Sequence, residues 1–196
     1  MKKIIIAVFA LTLFTSQSLK AEGFYIGLDY LNTKYDSGIT NISSRLDEED
    51  SGYSLFAGMP VNENLDIEVS YQDFGEASLS GVSGNQFRVG STTYQFTTTA
   101  TIALDANSFG IAAKPKYKIN DNISVYGKLG LHNWESTLSV NAATGSGNIS
   151  EDGTDIFYGA GIQANYNNLS ARVGYTIYDL DGEDVESINV GLAYRF

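Results

Sequence analysis

SINVGLAYRF, residues 187–196, alternates without a break: Ile188, Val190, Leu192, Tyr194 and Phe196 fall on one face of an extended chain, and Asn189, Gly191, Ala193 and Arg195 on the other. Successive side chains of a strand point to opposite sides, so this spacing predicts a β-strand with two chemically different faces. The same reading extends upstream. In LSARVGYTIY (169–178), Leu169, Ala171, Val173, Tyr175 and Ile177 oppose Ser170, Arg172, Gly174 and Thr176. DIFYGAGIQANY (155–166), NISVYGKLGL (122–131) and SFGIAAKPKYKI (108–119) repeat the pattern, and LDIEVSY (65–71), GYSLFAGMPV (52–61) and FYIGLDYL (24–31) complete a set of eight strands. No segment reads as an amphipathic helix.

The connections differ in kind. Segments 61–67, 119–125 and 165–171 each place an Asn-rich turn directly before a new strand, as tight hairpins require. The other four, roughly 34–51, 75–100, 135–153 and 179–186, are long or acidic, with GVSGNQ (81–86) expected at the tip of a tall hairpin. Apolar parity changes between Ile102/Leu104 and Phe109/Ile111, which predicts a bulge or register change near residues 105–107.

Composition narrows the class. The 196 residues include no cysteine, which excludes a disulfide-stapled scaffold, a Cys-ligated metal and a thiol nucleophile. A net charge of −11 argues against a nucleic-acid partner. Residues 1–21 read as a secretory signal peptide: Lys2 and Lys3, an apolar run from Ile4 to Phe14, then small and polar residues before Ala21. That run is too short to span a bilayer as a helix. The expected mature domain is 22–196, with nine basic groups against 23 acidic ones once Lys2, Lys3 and Lys20 are removed.

The less apolar face decides the environment. It is largely Gly, Ala, Ser and Gln, and it carries Asp29, Glu68, Lys114, Lys116, Lys128, Arg172 and Arg195. A soluble barrel turns its charges outward, whereas a barrel in lipid turns apolar side chains to hydrocarbon and polar ones inward. Closure also satisfies every backbone hydrogen bond in a medium without water. The fold expected is therefore all-β, an eight-stranded antiparallel up-and-down transmembrane barrel in a Gram-negative outer membrane, with short turns and both termini periplasmic.

GYSLFAGMPVNENLDIEVSYQDFG (52–75), YGKLGLHNWE (126–135) and the run from Tyr158 to Phe196 resemble the transmembrane domain of OmpA-like outer-membrane proteins. The resemblance implies that Ile188, Val190, Leu192, Tyr194 and Phe196 form the C-terminal signal read by the outer-membrane assembly machinery. Full-length OmpA continues into a peptidoglycan-binding domain that this sequence does not show, so wall tethering is not expected.

Within the lumen, Glu68, Lys114, Lys128 and Arg172 are expected to form a buried charge network that plugs the barrel, the functional alternative being a gated ion-conducting pore. Few acidic partners are visible for Lys114 and Lys116, which leaves room for a held anion or water. His132, with Glu135 and Ser136, has the residue types of a Ser–His–acid hydrolase acting on lipid A, but a spacing of roughly 13 Å along a strand separates His132 from Ser136. A rim position beside Trp134 is the expectation, and no catalytic residue is assigned. DLDGEDVE (179–186) lacks the Gly and Glu positions of an EF-hand. With Asp47, Glu48, Glu49 and Asp50 it forms an acidic outer rim. Tyr53, Tyr71, Phe74 and Tyr175 on the outer side, and Tyr117, Tyr166, Tyr194 and Phe196 on the inner, read as aromatic girdles. The expected function is structural support of the envelope with acidic loops exposed for adhesion or lipopolysaccharide contact, by a monomer without metal or cofactor. Its expected partners are outer-membrane lipids, lipopolysaccharide, the assembly machinery and a host or phage surface.

Overall fold

A computed structural model describes residues 23–196; the signal-peptide expectation for 1–21 lies outside the described residues. Twelve strands follow one another: β1 (Tyr25–Tyr35), β2 (Ile39–Asn41), β3 (Arg45–Asp47), β4 (Glu49–Asn62), β5 (Leu65–Gly81), β6 (Gln86–Val89), β7 (Thr92–Gln95), β8 (Ala100–Lys118), β9 (Ile123–Ala142), β10 (Gly145–Tyr166), β11 (Leu169–Leu180) and β12 (Glu183–Arg195). Eight of them close a ring in chain order: β1 pairs with β4, β4 with β5, β5 with β8, β8 through β12 in turn, and β12 with β1, every pair antiparallel. This is the eight-stranded barrel expected from the alternation.

Burial runs opposite to that of a soluble protein. On β9, Ile123, Val125, Leu129 and Leu131 are exposed while Ser124, Tyr126, Lys128 and His132 are buried. On β12, Ile188, Val190, Leu192 and Tyr194 face outward, and Ser187, Asn189 and Ala193 face in. The outward apolar band on β9 gives way to Asn133, and that on β12 to Glu186. A span of about 9–11 tilted residues crosses the hydrocarbon. At 20 and 22 residues, β9 and β10 are twice that length, so their outer halves stand clear of the membrane.

Several connections differ from expectation. Segment 135–153 is a continuous ladder rather than a loop, and its tip is Ala143–Thr144. GVSGNQ is not a hairpin tip: β6 starts at Gln86, and the tip lies at Gly90–Ser91 between β6 and β7. Four short strands stand above the barrel. β2, β6 and β7 form their own three-stranded sheet, and β3 adds to the outer end of β5. The acidic segment 179–186 turns in two residues, Asp181 (φ 56°) and Gly182 (φ 90°), the positive pair of a type I′ turn that matches strand twist.

The irregularity near 105–107 is present, but the extra residue is on the partner strand. Asp73 faces Asn107 and Glu76 faces Asp105, so Phe74 and Gly75 oppose a single residue of β8, and Gly75 takes φ 76°. β8 itself keeps its parity. Ile102 and Leu104 look reversed because the lumen turns apolar at this height, where Leu104 packs against the buried cluster. The girdle assignment of Phe74 is also corrected: it continues the inward parity of Glu68, Ser70 and Gln72 as far as the bulge and is wholly buried inside the barrel. The other seven girdle rings are exposed.

Candidate functional site

The inner half of the lumen is built on Glu68, which β5 points inward between Asp66 and Ser70. Its Oε1 lies 2.5 Å from Lys128 Nζ, and its Oε2 accepts from Arg172 Nη1 at 2.8 Å, Tyr25 Oη at 3.2 Å and Lys114 Nζ at 3.3 Å. Arg172 also grips Asp29 with two guanidinium nitrogens, at 2.8 and 2.5 Å. Glu68, Lys114, Lys128 and Arg172, four residues from four strands, thus converge at one point.

Asp29, already on the inward face by its parity, and Asp66, which sequence reasoning missed, supply the further acidic partners. Lys116 pairs with Asp66 at 2.5 Å, so the expected vacancy for an anion beside it is filled by a carboxylate. Asp66 was legible in principle, since it shares the parity of Glu68 in LDIEVSY; its nearness to the turn masked it. Aromatic rings complete the packing. Arg172 Cζ lies 3.3 Å above the Phe56 ring centre, and Lys114 Nζ lies 4.6 Å from that of Tyr126. Cation–π contacts of this kind gain strength where water is excluded.

The outer half of the lumen is apolar and aromatic. Phe74 meets Tyr178 edge-on at 4.8 Å, and Phe157 stacks on Tyr178 at 5.2 Å. His132 lies in this layer, correcting its expected rim position. It is 1% exposed, between Phe157 and Tyr178, because β9 keeps the inward parity of Lys128 four residues further up. Its Nε2 is 2.8 Å from the Asp179 carbonyl oxygen. That contact is with backbone, and among the described residues no serine hydroxyl is hydrogen-bonded to the ring. Trp134 is buried above, its Nε1 donating to Asp155 Oδ2 at 2.7 Å.

Outside the membrane several acids are held by amides and hydroxyls. Asp50 Oδ2 accepts from the Glu76 amide at 2.7 Å, and Asp179 Oδ1 from the Gly182 amide at 2.7 Å. Glu48 accepts from the Ser37 hydroxyl. Among the described residues no group of three His, Asp or Glu side chains is arranged to hold a metal.

A closed barrel with an apolar outside, a charged and aromatic inside, and strands rising beyond the hydrocarbon defines an integral outer-membrane protein of the Gram-negative envelope. The chain belongs to the family described as outer membrane protein beta-barrel domain, whose model matches residues 5–196. Among its relatives, virulence membrane protein PagC of Salmonella typhimurium is 31% identical over 87 residues, which are 42% of this chain and 47% of PagC. Outer membrane protein A of Serratia marcescens is 23% identical over 183 residues, 88% of this chain and 46% of that protein. The chain thus spans about half the length of the curated relatives it matches. Ail, the attachment invasion locus protein of Yersinia pestis, solved with the heparin analogue sucrose octasulfate, shares the fold at a TM-score of 0.55 and 22% identity, over 89% of this chain and 99% of Ail.

Proposed function

We propose that the barrel is a closed, non-catalytic support and that its exposed outer strands are the working surface, making contacts with a host cell or with neighbouring lipopolysaccharide. The observation that carries this reading is the filling of the lumen at two heights. Glu68, Lys114, Phe56, Phe74, Phe157 and His132 all stand among its fully buried side chains. An eight-stranded barrel has an interior just wide enough for its own side chains, and here ion pairs fill one half and rings the other.

The attachment and virulence named for Ail and PagC favour surface contact over transport. The monomer, the leader at 1–21 and the C-terminal assembly signal at Ile188, Val190, Leu192, Tyr194 and Phe196 belong to the same reading. Two measurements test it. In planar bilayers the protein should show no unitary conductance; steps altered by neutralising Glu68 or Lys128 would establish the pore instead. Shortening the β9–β10 hairpin or removing 83–98 should lower binding of bacteria to host cells, and unchanged binding by both variants would refute the surface role.

A further inference from the structure

The bulk acidity conceals a division of the outer surface. Residues 37–46 and 77–104 contain no aspartate or glutamate in a chain that has 23, and they contribute Arg45 and Arg88. The fold brings these two segments together. β2 lies on β6 with Thr40 opposite Arg88, and β3 lies on β5 with Arg45 opposite Ser80. One lobe of the outer face is therefore acid-free and rich in hydroxyl and amide side chains.

Between the two segments is a cavity of about 370 Å³, lined by Ser43, Ser44, Arg45, Ser80, Asn85 and Thr101 among others, with no carboxylate in its wall. Two other outer cavities differ in kind: Asp36, Glu48 and Glu186 line one, and Glu151, Asp152, Asp155 and Asp181 the other. The frame of the acid-free cavity is fixed by hydrogen bonds. The Gln86 carbonyl accepts from the amides of Ile42, Ser43 and Ser44 at 3.0 to 3.3 Å, and the Gln86 amide donates to Ser43 Oγ at 2.8 Å.

Its polar groups are only partly used. The Ser44 side chain is more than nine-tenths buried and its hydroxyl has no hydrogen-bond partner. The Arg45 side chain is 83% exposed, and its one ion pair among the described residues, with the Asp47 carboxylate, is long at 4.0 Å. Asn85 Oδ1 accepts from the Val82 amide, which leaves the amide nitrogen of its side chain for another acceptor. Nearby, Tyr94 is half exposed and stacks on Phe87, giving the lobe an apolar ring face.

We propose that this cavity binds one carboxylated sugar unit. The carboxylate meets the Arg45 guanidinium, whose paired N–H groups match a carboxylate's two oxygens. The ring hydroxyls meet the serine, threonine and asparagine groups, which donate and accept as hydroxyls do. A single guanidinium on a strongly acidic protein suits a single negative charge, because a polyanion would be repelled by the surrounding field. The inference rests on the surface-contact reading for its biological setting and names the partner's chemistry.

The intact protein in lipid nanodiscs is titrated with glucuronic acid, glucose and a heparin fragment. Glucuronic acid should bind saturably, and glucose about tenfold more weakly, the loss of one charge-assisted pair. Arg45→Ala should bring glucuronic acid down to the level of glucose and leave glucose unchanged. Arg45→Lys should recover part of the difference. Retained heat-modifiable gel migration shows that each variant is folded. Equal binding of the two sugars, indifference to Arg45→Ala, or a preference for the heparin fragment would each overturn the assignment.

Two singly charged probes separate the sources of such a unit: the unsulfated hyaluronan disaccharide, with its one carboxylate, for a host glycan, and the methyl glycoside of the keto-deoxy sugar acid of the lipopolysaccharide core for the envelope. Binding of either supports the site, and binding of neither overturns it. Should glucuronic acid bind while removal of 83–98 and shortening of the β9–β10 hairpin both leave cell adhesion intact, the surface role fails and the site stands. If adhesion is lost on that removal while glucuronic acid does not bind, the assigned chemistry fails and the surface role stands.

Discussion

Replacing Glu68 by Gln keeps the shape of the side chain and removes the charge on which three cations converge. Arg172 retains Asp29 as a second carboxylate, and Lys114 retains the Gln163 amide oxygen at 3.1 Å. Among the described residues Lys128 has no other carboxylate within 4.0 Å. The variant therefore leaves a buried ammonium without its counter-ion and turns an amide N–H₂ toward positive neighbours. Removing one partner of a buried pair costs about 3–5 kcal/mol, because the remaining charge stays desolvated. At about 1.4 kcal/mol per factor of ten, the unfolding equilibrium shifts roughly a hundredfold to a few thousandfold.

Urea unfolding in phospholipid vesicles measures this directly. Trp134, the one tryptophan of the chain, is buried and reports the transition by its fluorescence. Glu68→Gln/Lys128→Met, which removes both charges of the shortest Glu68 ion pair, should be about 1–2 kcal/mol more stable than Glu68→Gln alone, since replacing a buried pair by apolar atoms is often neutral. A loss below about 1 kcal/mol for Glu68→Gln, with no gain in the double variant, would refute the claim that this carboxylate holds the inner lumen together.

Other perturbations probe other parts of the molecule. Leu129→Arg places a charge on the lipid face and should cost about 2–4 kcal/mol in the same vesicle assay. Ile149→Arg, on the part of β10 beyond the membrane, should change stability by less than about 0.5 kcal/mol. Gly75→Val forces a β-branched residue into φ 76°, where its Cβ would lie 2.6 Å from Asp50 Oδ2, and should cost on the order of 1–3 kcal/mol. His132→Ala should leave the lipid A mass spectrum of the host cell unchanged, and a changed spectrum would restore the hydrolase reading. Phe196→Ala should lower the fraction of heat-modifiable barrel in the outer membrane if the C-terminal strand carries the assembly signal.

The barrel was legible in the sequence because one rule governs most of it. Along the membrane-spanning part the outside is largely apolar and the inside mainly small, polar or charged, so parity assigns Lys128, Arg172 and Glu68 to the lumen. The rule stops working at the outer interface, where water lies outside and rings fill the inside. Phe74, Trp134, Phe157 and His132 lie there, and hydropathy no longer distinguishes their faces. The bulge at Phe74–Gly75 compounds this, since it shifts β5 by one residue where the chemical contrast disappears. The short strands β2, β3, β6 and β7 escaped notice for another reason. β2 and β3 pair with segments more than thirty residues away, β6 and β7 form a hairpin of their own, and strands of three or four residues are too short to show a period.

The orientation of side chains toward lipid is the claim on which the rest depends. With no native cysteine to interfere, single cysteines placed in turn from Ile123 to Leu131 on β9 carry a fluorescent label, and the protein is folded into vesicles of brominated phospholipid. Quenching should rise at 123, 125, 127, 129 and 131 and fall at 124, 126, 128 and 130, a period of two with the apolar positions in contact with lipid. Uniform quenching, or an alternation of the opposite phase, would contradict the barrel as described.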